Sequence, residues 1–191
     1  MERILLPRPL GGTIPAVASK SMAHRLLLCA ALSARPCRVD CATRSADIDA
    51  TVRCLRALGA EIRDDGAGFD VTPLRRDAVP AGAALDCGES GSTLRFLLPV
   101  LGALGAEARL HLAGRLPQRP LSPLYELLVE HGMALGPQGS NPLTVAGRLT
   151  GRRFAIDAGV SSQFISGLLF ALPLLGGGEV VLTGTVASAG Y

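Results

Sequence analysis

The feature that most limits how this chain folds is an internal repeat. Three segments share one layout: a short apolar stretch, a small-residue turn, then an apolar helix. The helical patterns begin near Ser21 (SMAHRLLLCAAL), Ser90 (SGSTLRFLLPVL) and Ser161 (SSQFISGLLFAL), a period of about 70 residues. Each of the first two is followed by a second helical pattern, DIDATVRCLRALGA from Asp47 and SPLYELLVEHGM from Ser122. These stop at Gly59 and Gly132, because glycine turns the chain out of a helix without steric cost. RVDCA, ARLHLAG and EVVLTGT read as the strands after the first helices. EIRDDGAGFDVTPL and ALGPQGSNPLTVAG read as hairpins, with Gly, Asp and Asn at their turns.

The fold class is therefore α/β, built from repeated β-α-β-α-β-β units over approximately residues 13–84, 85–150 and 151–191. The third unit has its first helix and the strand Glu179–Thr185, but no second helix and no closing hairpin. The expectation is of an incomplete third unit, that is, a chain that ends mid-repeat.

Composition narrows the function classes. With 48% apolar and 18% charged residues the chain can bury a core, and with no Trp, two Tyr and five Phe that core rests on aliphatic side chains. A net charge of +3, with the arginines scattered, lacks the basic stripe and stacking aromatics of a nucleic-acid binder. The apolar runs Phe96–Leu104 and Phe164–Leu175 fall short of the roughly 20 residues a bilayer needs, and Pro99, Gly102 and Pro173 interrupt them. As helices apolar nearly all round, they belong in the core. Five cysteines, without a CxxC pair or a signal-like N-terminus, suit reduced thiols in the cytoplasm. Cys37 and Cys41 have no second close pair with which to hold zinc, so no metal is expected.

Of 19 basic residues, Lys20 is the one lysine. In so arginine-biased a chain, a lone ammonium points to a place where a planar guanidinium fails and a compact charge is needed. It stands in Ser19-Lys20-Ser21-Met22-Ala23-His24-Arg25. If Ser19 or Lys20 caps the helix, Ser21 and Arg25 share a face and Lys20 stands over free backbone N–H groups that favour an anion. A capped helix with solvated charges fits the same letters, and His24 reads as incidental.

Other clusters open the other first helices. Cys87-Gly88-Glu89-Ser90-Gly91-Ser92-Thr93-Leu94-Arg95 is a glycine turn whose backbone can approach a ligand; it is neither a Walker A loop nor G-x-S-x-G. Ser161, Ser162 and Gln163 bring two hydroxyls and an amide to the start of the third helix, suited to a phosphate ester. In Gly114-Arg115-Leu116-Pro117-Gln118-Arg119-Pro120, prolines stiffen the backbone around Arg119; a rigid turn with solvated arginines fits as well. Repeat packing gathers the helix starts at one edge, where a small anionic substrate would bind.

Taken in order, SKSMAHR, CGESGSTLRF, GRLPQRP, VSSQF and the closing SxxY resemble the successive motifs of the 5-enolpyruvylshikimate-3-phosphate synthase family, from Ser19 to Tyr191. The resemblance implies the enolpyruvyl transferase fold, two domains each of three β-α-β-α-β-β units with buried helices and outer sheets. This chain would be most of the first domain, with a C-terminal domain of the same enzyme as its partner. The implied reaction moves the enolpyruvyl group of phosphoenolpyruvate onto the 5-hydroxyl of shikimate-3-phosphate, by addition and elimination, with no cofactor.

The resemblance also assigns roles. Lys20 is the catalytic lysine that contacts both substrates, and Ser21 and Arg25 bind shikimate-3-phosphate. Gly91 and Arg119 border and bind phosphoenolpyruvate, with Arg95 shaping the loop. Ser161 and Ser162 hold the 3-phosphate, Gln163 reaches both substrates, and Ser188 and Tyr191 add shikimate-phosphate contacts. Phe96 departs from the proline of many relatives, and the proton-transfer carboxylates belong to the second domain. Two other readings are weighed. UDP-N-acetylglucosamine enolpyruvyl transferases would show Lys-Asn where this chain has Lys20-Ser21, with a reactive loop cysteine. A phosphate-binding module without catalysis is the reading from another class.

Overall fold

The computed structural model describes residues 7, 9, 11–14 and 16–185. Helices α1 (Lys20–Leu32), α3 (Gly91–Leu104) and α5 (Ser162–Ala171) are the first helices of the repeats. The second helices are α2 (Ala46–Ala57) and α4 (Leu124–Glu130). Serine sets the start of α1, α2, α3 and α5. The Oγ atoms of Ser19, Ser45, Ser90 and Ser161 accept backbone N–H groups at 3.2–3.3 Å, satisfying donors the helix itself leaves unpaired. On α2, Asp47 and Asp49 in the first turn and Arg56 in the last complement the helix dipole.

The strands β1 (Cys37–Asp40), β2 (Glu61–Asp64) and β3 (Gly68–Thr72) form an antiparallel sheet in the order β1-β3-β2. β4 (Ala83–Gly88), β5 (Ala108–Leu112), β6 (Met133–Leu135) and β7 (Leu143–Gly147) lie in the order β4-β5-β7-β6, with β4 and β5 parallel and the other pairs antiparallel. β8 (Arg153–Asp157) pairs in parallel with β9 (Glu179–Thr183). The order β5-β7-β6 repeats β1-β3-β2, and β8-β9 repeats β4-β5. The repeat read from the sequence is thus present in the pairing. No strand precedes α1 among the described residues.

The β4–β5 pair presents one face inward. Ala83, Leu85 and Cys87 of β4 and Ala108, Leu110 and Leu112 of β5 alternate with exposed neighbours and pack on the helices. At the centre lies α3, where every residue except Ser92, Arg95 and Leu104 is buried. The helix continues through Pro99. A proline there withdraws the N–H that would bond the Arg95 carbonyl. The backbone of α5 fills the same place: a Cβ added at Gly167 would stand 2.5 Å from that carbonyl oxygen and 3.2 Å from Pro99 Cγ. Glycine at 167 therefore lets α5 lie directly on α3, with its N-terminus beside that of α3.

Candidate functional site

The N-terminal ends of α3 and α5 and the turn around Arg119 converge. Gly91, the first residue of α3, is buried. A Cβ on it would lie 3.1 Å from Arg95 Nη1 and 3.2 Å from Arg119 Nη1, so the absence of a side chain keeps the approach between two guanidinium groups open. Arg119 follows a 3-10 turn at Leu116–Gln118, whose Pro117 fixes the entry to it.

Arg95 is braced on several sides. Its Nη1 donates to Gln163 Oε1 at 2.7 Å, its Nη2 donates to the Pro120 carbonyl at 3.2 Å, and its guanidinium lies 5.4 Å from the centre of the Phe164 ring. Gln163 Nε2 in turn donates to Ser92 Oγ at 2.8 Å. Both ends of the Gln163 amide are thus fixed. Burial, and then the neighbouring charge of Arg119, hold the Arg95 pKa below its ordinary value. Neither arginine has a carboxylate partner among the described residues. Two cations close together, one of them half-buried, favour an arriving anion.

Around α1 the arrangement differs. Lys20 is the first helical residue, and its Nζ donates to Asp47 Oδ2 on α2 at 2.7 Å, in a pair open to water. Arg25 bridges two helices: Nη1 donates to the Ser21 carbonyl at 2.8 Å and Nη2 to Ser166 Oγ of α5 at 2.9 Å, while its guanidinium lies 5.1 Å from the Phe96 ring centre. Ser161 accepts the Gln163 N–H at the α5 cap, and Ser162 opens the helix with a hydroxyl that has no partner among the described residues.

Of the residues singled out from the sequence, Gly91, Arg119, Arg95 and Gln163 thus meet directly, and Arg25 reaches α5 through Ser166. Ser188 and Tyr191 lie outside the described residues. Among the described residues no group of three His, Cys, Asp or Glu side chains is disposed to hold a metal ion, and no helix is long and apolar enough to cross a membrane.

The sequence reading missed Ser92 and Ser166 as partners, and it misjudged His24. That side chain is fully buried, and its Nδ1 lies 2.7 Å from Thr51 Oγ1. Burial lowers its pKa to about 4. Ser166 had a visible signal, a hydroxyl four residues after Ser162 on an apolar helix. The His24 contact had none.

An α/β chain of repeated units, with cations and helix N-termini gathered at one edge, has the fold of solved enolpyruvyl transferases. The EPSP synthase from Acinetobacter baumannii superposes on 93% of this chain and 42% of its own with a TM-score of 0.75 at 22% identity. The enolpyruvyl transferase NikO from Streptomyces tendae covers 86% of this chain and 38% of its own with a TM-score of 0.52 at 13% identity. At such identities the likeness concerns the fold. The sequence goes further: residues 6–191 match the profile of EPSP synthase (3-phosphoshikimate 1-carboxyvinyltransferase), and the chain belongs to that family. The 3-phosphoshikimate 1-carboxyvinyltransferase of Clostridium beijerinckii is 37% identical over 195 residues, covering 98% of this chain and 45% of the relative. That of Clostridium novyi is 37% identical over 204 residues, covering 100% of this chain and 46% of the relative. The chain thus spans less than half the length of these curated relatives.

Proposed function

We propose that this chain is the substrate-gripping part of an enzyme that transfers the enolpyruvyl group of phosphoenolpyruvate to the 5-hydroxyl of shikimate-3-phosphate and releases phosphate. The observation that carries the reading is Gly91, open between the guanidinium groups of Arg95 and Arg119 with Gln163 fixed beside them. That geometry suits phosphoenolpyruvate, a small anion carrying both a phosphate and a carboxylate to orient. Ser161 and Ser162 at the α5 N-terminus receive the 3-phosphate, and Arg25 and Ser21 lie along the shikimate side. Lys20 exchanges Asp47 for the substrates and stands between two anions. Ser188 and Tyr191 complete the shikimate contacts.

In the reaction, the 5-hydroxyl adds to C2 of phosphoenolpyruvate while C3 takes a proton. Loss of phosphate, and of a proton from the new methyl group, leaves the enol ether. The cations of this chain hold negative charge in place while it shifts from ester to leaving phosphate. The carboxylates that move the protons belong to a C-terminal domain of the same enzyme. Exposed Met22 and Leu26 of α1 and Leu169 of α5 suit a further segment packed on these helices. The five free thiols suit a cytoplasmic enzyme.

Calorimetry and a phosphate-release assay on the 191-residue chain test the reading together. The expected outcome is weak binding of shikimate-3-phosphate and no turnover, with activity appearing when the C-terminal domain of a relative is supplied. Substrate-dependent phosphate release by this chain alone would refute the division of labour. Absence of binding with either substrate would refute the site.

A further inference from the structure

Four polar side chains inside the core form a continuous line across three helices. His24 of α1, Thr51 of α2, Thr93 of α3 and the cap residue Ser90 are all fully buried. His24 Nδ1 to Thr51 Oγ1, Thr51 Oγ1 to Thr93 Oγ1 and Thr93 Oγ1 to Ser90 Oγ are each 2.7 Å. The backbone N–H of Thr93 also donates to Ser90 Oγ, at 3.2 Å. So many hydroxyls in an aliphatic core are costly unless each is paired, and here pairing is sequential.

Proton counting gives the line a direction. Thr93 donates its hydroxyl proton to Ser90. It must then accept from Thr51, whose own single proton is thereby used. Thr51 must accept from His24, so Nδ1 carries the imidazole proton and Nε2 is bare. Nε2 is indeed buried without a partner, and the ring meets Phe96 edge-on at 6.4 Å between centroids. A bare lone pair in such a place costs less than an orphaned N–H would.

The line ends where chemistry is expected. Ser90 immediately precedes Gly91 and Ser92, and at its other end His24 precedes Arg25, which is bonded to α5. We propose that the His24–Thr51–Thr93–Ser90 line is a positioning device that holds the glycine turn at the orientation in which Gly91 receives phosphoenolpyruvate. The inference rests on the reading of Gly91 as the border of that site. His24, Thr51 and Thr93 touch no ligand; they act through the Ser90 cap.

The experiment uses the 191-residue chain, labelled with nitrogen-15. Long-range nitrogen–proton correlation reports which ring nitrogen of His24 is protonated, and calorimetry reports affinity for phosphoenolpyruvate. The expected wild-type result is the Nδ1–H tautomer, unchanged on adding phosphoenolpyruvate. Thr51→Val, equal in shape, breaks the line at its middle. It should weaken phosphoenolpyruvate about tenfold and lose the tautomer preference, and Thr51→Ser should restore both. An Nε2–H tautomer in the wild type overturns the proposal without any variant having to fold. So does a folded Thr51→Val chain that binds as well as wild type. A wild-type chain with the Nδ1–H tautomer but no affinity for phosphoenolpyruvate overturns the site reading, and with it the purpose assigned to the line.

Discussion

The two sides of the polar edge are built on opposite plans. On the α3–α5 side, Arg95, Gln163 and Ser92 are tied together at 2.7 and 2.8 Å, and Arg119 stands beside them with no carboxylate partner among the described residues. On the α1 side, Lys20 is held at 2.7 Å by Asp47, its side chain about half exposed. On the reading proposed above, the arginine side receives an anion with its side chains already braced. The lysine side must surrender an internal carboxylate first. Affinity should therefore come mainly from the arginines, whose geometry is set before the ligand arrives. Lysine, a mobile point charge, is suited to following charge that moves.

The largest expected effect concerns what joins the two sides, the buried His24. Burial lowers its pKa from 6.5 to about 4; Asp47 opposes the shift, while Lys20 and Arg25 assist it. In the unfolded chain the imidazole takes a proton near 6.5, whereas the folded chain resists until about 4. The stability tied to the neutral ring is thus complete above 6.5 and is lost as pH falls from there to about 4. The loss amounts to about 3 kcal/mol. Urea unfolding at pH 7 and pH 4 should show it in the wild-type chain and not in His24→Gln. Equal losses in both would mean that the ring is solvated and the two sides are not joined through it.

The next effect tests the division between cations. In a full-length enzyme carrying this chain, Lys20→Arg should lower kcat/KM about tenfold, or about 1.4 kcal/mol. A guanidinium there keeps the charge but not the compactness. Unchanged kinetics would erase the distinction between the two sides, and the single lysine would be an accident of composition.

What the sequence disclosed and what it withheld follow the same local-to-distant divide. Serine caps and glycine turns are decided within a few residues, so Ser90 and Ser161 were legible as helix starts. For α1, the letters allowed Ser19 or Lys20; Ser19 takes the cap, and Lys20 becomes the first helical residue. The repeat was legible because each unit must cover its own apolar helix, which forces the same pattern each time. The strand expected before α1 is not seen among the described residues. Cross-links were out of reach. Arg95 finds Gln163 68 residues away, and Arg25 finds Ser166 141 residues away, by packing of α5 on α3 and α1. His24 looked incidental because its partner Thr51 lies 27 residues on, facing inward from a different helix.

The smallest effect gives the sharpest view of the lysine side. If Asp47 competes with the ligand for Lys20, Asp47→Asn should improve anion binding, an unusual direction for a substitution at a polar edge. The pair is open to water, so its own worth is at most about 1 kcal/mol, and removing the competing charge should tighten inorganic phosphate by roughly two- to fivefold. Asparagine keeps the shape of the side chain and leaves the α2 cap at Ser45 intact. The lost charge in the first turn of α2 should cost about 0.5 kcal/mol of stability, which thermal unfolding can separate from binding. The gain should also shrink as salt is raised, because exposed charges are screened over about 10 Å at 0.1 M. Calorimetry at low and high ionic strength measures both. Weaker phosphate binding in Asp47→Asn at low salt would reverse the assignment: Asp47 would then be holding Lys20 in its working position, and the lysine side would be as preorganised as the arginine side.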